Sequence, residues 1–596
     1  MMKKLLMGNE AIALGAIRAG VRFVCGYPGT PSTEVLETVA KYNVESKIHV
    51  EWSINEKAAM EVGAGASYAG ARTLITMKQV GLNVASDPLM CLSYIGIKGG
   101  MVVLVADDPG PISSQTEQDT RHFAKYANLP VLDPSSPEEA YDMVQLAFSL
   151  SEKIGLPVIL RPTTRICHAC ASIEVDEIIE EHIPDGFVKA SKWVIFPRQS
   201  YLNHIALEQK QNELSDIFAK IKYNAVSGSG KLAVAASGVS FSNAREAIAE
   251  LNAEVKLYKI GAPYPFPEKQ ALEILKSVEK ILVIEELDPV IEDSLVQLCG
   301  LHNISCEILG KRSGSMVNAG EITYETAKAA IAEFCGIKYE VPDIQIETPL
   351  PVRPPVLCAG CPHRASFYAV KIAMKNKKAV FSGDIGCYTL GNAKPLDMVD
   401  TCLCMGAGIT IAQGLHVIEP DAVNFAFIGD STFFASGITG IINAVYNQTK
   451  IVIIILDNST TAMTGHQPHP GTGVNMMRSA AEAVSIEKIL EGCGVKLIQA
   501  VNPLELSASI EAVKIAAEHN GVSAIIFRSP CIAIVKPDTP FKIQESCTGC
   551  KKCIKELGCP AIRPLKKAVE IDSTLCTGCG LCSQLCPVGA IKREGV

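Results

Sequence analysis

No apolar run in this chain reaches the length needed to span a membrane; the longest candidates are broken by Gly, Pro or charge. Positive charge is not in excess either. With 55 Lys and Arg against 63 Asp and Glu the formal net charge is -8, so nothing in the balance points to nucleic acid. The first residues lack a secretory h-region, because Met1–Met7 with its two lysines runs straight into Gly8-Asn9-Glu10. These absences lead us to expect a cytoplasmic protein with no membrane and no nucleic-acid partner. The 596 residues, 48% hydrophobic and 20% charged, allow three to five globular domains with ample core.

Cysteine is abundant. Eight of the 22 cysteines fall in the last 50 residues in repeated C-x2-C spacing, a pattern that in a large chain without a signal peptide reads as metal binding, not disulfide bonding. Cys547, Cys550, Cys553 and Cys559-Pro560 form one run, and Cys576, Cys579, Cys582 and Cys586-Pro587 a second. The second fits the bacterial ferredoxin spacing, and the first has two extra residues before its last cysteine. In two-cluster ferredoxins the fourth cysteine of each run serves the other cluster. Cluster one is therefore assigned Cys547, Cys550, Cys553 and Cys586, and cluster two Cys576, Cys579, Cys582 and Cys559. Zinc ribbons use two pairs, not two triads each closed by Cys-Pro. Residues 541–596 carry nine Lys and Arg against five Asp and Glu, a balance that suits an acidic redox partner or merely offsets cluster charge.

The chain is organised around residues 423–465. An apolar strand ends in Gly429-Asp430-Ser431, a small-residue helix follows, and a second apolar strand ends in Asp457-Asn458. This βαβ unit places Asp430 and Asn458 side by side at the carboxyl edge of a parallel sheet, where open α/β sheets bind ligands. Mg²⁺ wants about six oxygens and usually shares them between one or two protein side chains and phosphate oxygens. Asp430, the Asn458 amide oxygen and a carbonyl near Thr460 would hold one side of the ion, and a diphosphate the other.

Gly-Asp-Ser followed nearly 30 residues later by Asn resembles the signature of thiamine diphosphate enzymes, with Gly429, Asp430, Ser431, Asn458 and Thr460 as cofactor-binding positions. Upstream, Tyr27-Pro28-Gly29-Thr30-Pro31-Ser32-Thr33-Glu34 and Glu51-Trp52-Ser53-Ile54-Asn55-Glu56 resemble the pyrimidine-binding domain of the 2-oxoacid:ferredoxin oxidoreductases. That resemblance implies that Thr30 lies against the substrate carboxylate and that Glu56 shares a proton with N1′ of the aminopyrimidine. By its residues alone Glu56 is equally a solvated helix start paired with Lys57 or Lys78. Arg121 is a candidate carboxylate grip. The Cys167 and Cys170 pair reads as reduced structural thiols.

The expected fold is α/β, with several parallel-sheet domains of the thiamine-diphosphate-binding type and a C-terminal two-cluster ferredoxin-like domain. Its parts are a pyrimidine-binding domain (1–170), an irregular connector (171–230), a transketolase C-terminal-like domain (231–337), a Pro-rich linker (338–356), a diphosphate-binding domain (357–540) and the ferredoxin-like tail (541–596). In the same family a C-x2-C at the start of the diphosphate domain joins two later cysteines around a proximal 4Fe-4S cluster. Cys358, Cys361, Cys387 and Cys531 match it in order and rough spacing; the alternative is a set of buried thiols.

Cys358-Ala359-Gly360-Cys361-Pro362-His363-Arg364, the loop Thr464–Gly473 and the fused tail look like the aryl-pyruvate branch of the family. The resemblance implies oxidative decarboxylation of an aryl pyruvate, with coenzyme A taking the acyl group and ferredoxin the electrons. A smaller subunit carrying the γ-type domain would complete the coenzyme A site. His466, which with Glu56 and Thr30 is a candidate catalytic residue, and His469 both sit on the loop expected to close over substrate, where either shuttles protons or lines the pocket. A nonoxidative thiamine-dependent decarboxylase, or an electron-transfer subunit with a vestigial thiamine fold, are the alternatives.

Overall fold

The computed structural model describes residues 2–44, 47–175, 181–340, 348, 350–566 and 568–595. The chain divides into two compact units, Met1–Glu347 and Thr348–Val596.

Among the described residues the first unit holds two large sheets and a two-stranded one. Strands His49–Trp52, Phe23–Gly26, Thr73–Lys78, Met101–Ala106, Val158–Leu160 and Val131–Leu132 lie in that spatial order, all parallel. Met101–Ala106 is fully buried along its length, as expected of a strand covered on both faces. The second sheet orders Glu307–Leu309, Lys280–Ile284, Leu232–Ala236, Lys256–Ile260 and Asn224–Gly228, the last antiparallel to its neighbour.

The described residues of 171–230 are more regular than their polar composition implies. Cys170–Val175 pairs antiparallel with Met2–Met7, Asn224–Gly228 starts the second sheet, and Pro197–Phe218 is a helix of 22 residues. That helix buries only Leu207, Leu214 and Phe218, too few apolar positions to announce an amphipathic helix. Of the Pro-rich stretch, 341–347 and 349, with Pro342 and Pro349, lie outside the described residues. Pro351, Pro354 and Pro355 are exposed and in no regular element.

The second unit is built on strands Ala379–Ser382, Val423–Gly429, Val452–Asp457, Ser523–Arg528 and Leu497–Val501, again all parallel. The crossover from Val423–Gly429 to Val452–Asp457 runs through a π-turn at Phe433–Gly437 and the helix Ile438–Tyr446. Its register sets Gly429 beside Leu456, which brings the residues that follow each strand to one edge.

The tail repeats one small motif. In each half the sequence Cys-Thr-Gly-Cys makes a turn whose glycine, Gly549 or Gly578, has φ of 68° or 75°, a conformation that strains any residue with a Cβ. A short helix carrying the third cysteine follows: Lys552–Leu557 with Cys553, and Leu581–Leu585 with Cys582. The tail shares its core with the preceding domain, since Phe541, Leu557, Ile562 and Leu581 cluster with Leu357, Tyr368 and Met398. Among the described residues no helix is long and apolar enough to cross a membrane.

Candidate functional site

Asp430 follows its strand directly and is buried. Its Oδ1 accepts from the Ser431 N–H (2.8 Å), and its Oδ2 from the N–H groups of Asn458 (3.0 Å) and Ser459 (2.8 Å). The carboxylate thus pins the ends of both strands. His469 Nε2 lies 3.1 Å from Asp430 Oδ2, at ion-pair distance but without hydrogen-bond alignment, while its Nδ1 accepts from the Gly471 N–H (3.2 Å).

Asn458 turns its amide oxygen toward Asp430 Oδ2 (3.3 Å) and the Thr460 carbonyl oxygen (2.7 Å), and its amide nitrogen toward His363 Nε2 (3.3 Å). Hydrogen bonding alone favours the opposite orientation, with the nitrogen donating to both oxygens. As it stands the amide oxygen receives only a long 3.4 Å contact from the Thr460 N–H. With the oxygen turned inward three oxygens would meet at one point, an orientation that a cation among them would favour over the one hydrogen bonding prefers. A carboxylate, an amide oxygen and a backbone carbonyl make a hard, all-oxygen donor set that fits Mg²⁺.

Glu56 is the first residue of the helix Glu56–Tyr68, whose Asn55 cap accepts from the Ala58 N–H (2.8 Å). The carboxyl is buried against Gly81, where an added Cβ would come within 2.5 Å of Oε1. Burial raises its pKa to about 7, only partly offset by its own backbone N–H and by Lys78. Lys57 is engaged elsewhere, with Glu61. A carboxyl that holds its proton near neutrality suits proton sharing with a ring nitrogen better than a solvated helix start does. The same sheet edge carries two buried polar atoms without partners, Thr76 Oγ1 and Gln79 Oε1. Thr30 is half-buried in the turn after the neighbouring strand, and its carbonyl accepts from Ser113 Oγ (3.2 Å).

Arg121 does not face a pocket. It is 1% exposed and its guanidinium donates to Asp119, to Glu285 Oε2 (2.7 Å) and to the carbonyls of Glu286 and Asp288 (both 2.9 Å). With its donors taken up by protein oxygens it is unfit to grip a carboxylate, and that expectation is corrected. The two loop histidines also part company: His469 is buried at Asp430, whereas His466 is exposed, with φ of 66°.

The tail cysteines form two separate sets. Cys547, Cys550, Cys553 and Cys586 line one small cavity; Cys559, Cys576, Cys579 and Cys582 line another. Two cavities with four thiols each fit two copies of one group, and each set takes its fourth cysteine from the other run, which is the exchange expected of a two-cluster ferredoxin. Ala359 and Gly360 line the second cavity, and an added Cβ on Gly360 would strike Thr577 Oγ1 at 1.8 Å. Arg364 locks this junction, donating to the carbonyls of Leu557 (2.6 Å) and Gly558 (3.1 Å) on the tail and of Leu357 (2.6 Å) before the Cys358 loop.

Cys358, Cys361, Cys387 and Cys531 are drawn together as well. Burial first, and the thiols of Cys358 and Cys387 among the later causes, push Cys361 up to about 12. Burial, then Cys531 and Cys358, push Cys387 up to about 11, and Cys358 acts in turn on Cys531. The Cys531 N–H donates to the Asn458 carbonyl (2.9 Å), so this group of thiols adjoins the three-oxygen site.

The pair Asn458–His363 was invisible to sequence reasoning, because 95 residues separate its members. The only signal was the position of His363 two residues after Cys361, which spacing rules do not interpret.

Comparison with known proteins follows this geometry. The family described as thiamine pyrophosphate enzyme, C-terminal TPP binding domain, matches residues 384–527. The thiamine diphosphate-binding domain of pyruvate flavodoxin/ferredoxin oxidoreductase matches 14–196, and a 4Fe-4S binding domain matches 569–592. The indolepyruvate oxidoreductase subunit IorA of Archaeoglobus fulgidus is 41% identical over 618 residues, covering 99% of this chain and 97% of that protein. IorA of Pyrococcus horikoshii is 39% identical over 636 residues, covering 100% and 97%. The ketoisovalerate oxidoreductase subunit VorB of Methanothermobacter thermautotrophicus is 22% identical over 355 residues, 55% of this chain and 99% of that one.

Proposed function

This chain belongs to the family of indolepyruvate oxidoreductase IorA subunits, oxidoreductases acting on 2-oxo acids with thiamine diphosphate and 4Fe-4S clusters, and on that premise we propose its particular reaction. The substrate is an aryl pyruvate, indolepyruvate first, which is oxidatively decarboxylated to CO₂ and an arylacetyl-coenzyme A, with ferredoxin as electron acceptor. The meeting of the Asp430 carboxylate, the Asn458 side chain and the Thr460 carbonyl where two adjacent parallel strands end is the observation that carries the catalytic reading.

Bound thiamine diphosphate supplies the electron sink that lets a 2-oxo acid lose CO₂. The chain's own residues supply the rest. Asp430, Asn458 and Thr460 would hold Mg²⁺ and with it the diphosphate, with Gly429 and Ser431 in the same turn. Glu56, keeping its proton near neutral pH, would share it with N1′ of the aminopyrimidine. Thr30 meets the substrate carboxylate, and His469 lines the pocket beside Asp430 while the exposed His466 moves protons once the loop is covered. Cys547, Cys550, Cys553 and Cys586 hold one 4Fe-4S cluster; Cys559, Cys576, Cys579 and Cys582 hold a second; Cys358, Cys361, Cys387 and Cys531 hold a third. A smaller partner subunit with the γ-type domain completes the coenzyme A site.

Anaerobic iron, sulfide and thiamine analysis of the chain with its partner, alongside ferredoxin reduction by indolepyruvate plus coenzyme A, tests this. Three clusters require about twelve irons per chain. About eight would retire Cys358, Cys361, Cys387 and Cys531 as ligands. Aldehyde release without ferredoxin reduction would replace the proposal with a nonoxidative decarboxylase.

We also propose a docking point for ferredoxin. Cys550 is exposed, with Lys551 and Lys552 in the same cavity wall and exposed Val588 beside them, a basic rim around an apolar spot that suits an acidic carrier. Reversing both charges, Lys551→Glu with Lys552→Glu, is expected to raise the KM for ferredoxin about tenfold at low salt and much less at high salt. An unchanged KM at low salt would place the acceptor elsewhere.

A further inference from the structure

His363 touches both halves of the reaction centre. Its backbone N–H lies at the Cys361 thiol, and its side-chain Nε2 lies 3.3 Å from the Asn458 amide nitrogen. The ring is 3% exposed and leans edge-on toward Tyr388, with ring centroids 5.8 Å apart. It is therefore buried and packed at the start of the helix Pro362–Ala373.

An amide side chain has two nearly isosteric ends, and only one of them binds a metal. At Asn458 the protein's own oxygens favour one end of the amide. Turned one way, its nitrogen donates to Asp430 Oδ2 and the Thr460 carbonyl and blocks the cation; turned the other way, its oxygen completes the donor set. The contact that discriminates is His363. If Nε2 is the bare, accepting nitrogen of the ring, it takes the Asn458 N–H and directs the oxygen at the cation. If Nε2 carries the proton, it donates to the oxygen and favours the blocking orientation.

We propose that His363 is a positioning residue that sets the Asn458 amide, so that metal and diphosphate binding is coupled to the tautomer of one histidine rooted in the Cys358–Cys361 loop. This rests on the Mg²⁺ reading of Asp430, Asn458 and Thr460, and it adds a role that ligand counting misses. Groups that orient metal ligands typically change metal affinity 10- to 100-fold when removed. Loading of Cys358 and Cys361 and loading of the diphosphate site then share a residue, so a change at one is felt at the other.

The test uses the full chain with its partner subunit and Mn²⁺ as the metal probe, with free Mn²⁺ followed by electron paramagnetic resonance at fixed thiamine diphosphate. His363→Leu is expected to weaken Mn²⁺ binding about 10- to 100-fold, and His363→Gln, whose amide can accept from Asn458, to restore it to within about threefold. Asp430→Ala is run beside them as the check on the metal site itself. If Asp430→Ala binds Mn²⁺ like the wild type, the metal reading fails and this inference with it. If Asp430→Ala loses binding while His363→Leu does not, the positioning role alone is overturned. A loss in His363→Leu that His363→Gln shares in full also overturns it, since that pattern belongs to packing. Should His363→Leu not fold, ¹⁵N-histidine spectra of the unmutated protein decide: one imidazole is expected to change tautomer when Mg²⁺ and thiamine diphosphate are added, and no change counts against the proposal.

Discussion

Glu56→Gln is expected to lower turnover by about 10²–10⁴-fold while making the cofactor-free protein more stable at neutral and alkaline pH. The activity loss follows from removing a shared proton at the one place where proton transfer to the cofactor ring is needed, and general acid–base catalysis is typically of that size. The stability gain has the opposite sign for a physical reason. Burial against Gly81 moves the Glu56 pKa from 4.5 in an open environment to about 7 in the fold. Below about pH 4.5 the carboxyl is protonated in both the folded and the unfolded chain and contributes no pH dependence. Between about 4.5 and 7 the unfolded chain gives up the proton while the folded chain keeps it, so stability falls as pH rises. Above 7 the full penalty applies, on the order of 3 kcal/mol. Gln carries no charge and avoids it. Thermal melts of metal- and thiamine-free protein at pH 5 and pH 8 should show the variant gaining on the wild type only at the higher pH. Equal melts at both pH values together with near-normal turnover would return Glu56 to the role of an ordinary helix start.

A residue selected for activity and costly to the fold belongs to a recurrent pattern in which function is carried by groups whose burial or charge the rest of the structure must offset. The same pattern decides which parts of this chain could be read in advance. Strands such as Val423–Gly429 and Val452–Asp457 announce themselves because a strand covered on both faces is an unbroken apolar run. The residues after them then fall at a predictable sheet edge, so the fold class and the neighbourhood of Asp430 and Asn458 were legible. The cysteine sets of the tail were legible for a different reason: thiolate spacing within a tight turn is fixed by local geometry, and the structure groups them as the two runs imply.

What stayed hidden depends on partners remote in sequence or on the count of buried positions. Nothing near Asn458 says that His363 faces it. Nothing within the loop Thr464–Gly473 says which histidine is buried, because both are followed or preceded by turn residues, and only the folded loop sets His469 at Asp430 and leaves His466 exposed. The helix Pro197–Phe218 escaped because one buried residue per turn or fewer leaves no periodic apolar stripe.

Arg121 is the clearest case, and replacing it should have the largest effect on the fold. It lies in a polar loop that reads as solvent-facing, yet its partners come from about 165 residues downstream. Its guanidinium and that of Arg161 sit among the buried carboxylates of Asp107, Asp119, Asp133 and Glu285. Burial alone would push Asp119 up; Arg121 and Arg161 together hold it well below the usual carboxylate range. Asp107 is different, raised to about 6 because burial outweighs the pull of Arg161. Such a network adds little net stability when complete, since desolvation of every member offsets most of the attraction. Breaking it is another matter. Arg121→Met keeps the volume but leaves Asp119 and Glu285 buried without their counter-ion, and the expected cost is about 3–5 kcal/mol. Both carboxyls would then take up protons more readily, so the loss should shrink as pH falls toward 5, the reverse of what a neutral packing defect would give. Melting of the full chain, read at the first transition at pH 8 and pH 5, measures this. A melt unchanged at pH 8 together with a raised KM for the 2-oxo acid would mean that Arg121 serves the substrate after all. A large loss at pH 8 with the KM held assigns it to joining the two sheets of the first unit, the scaffold from which Thr30 and Glu56 project.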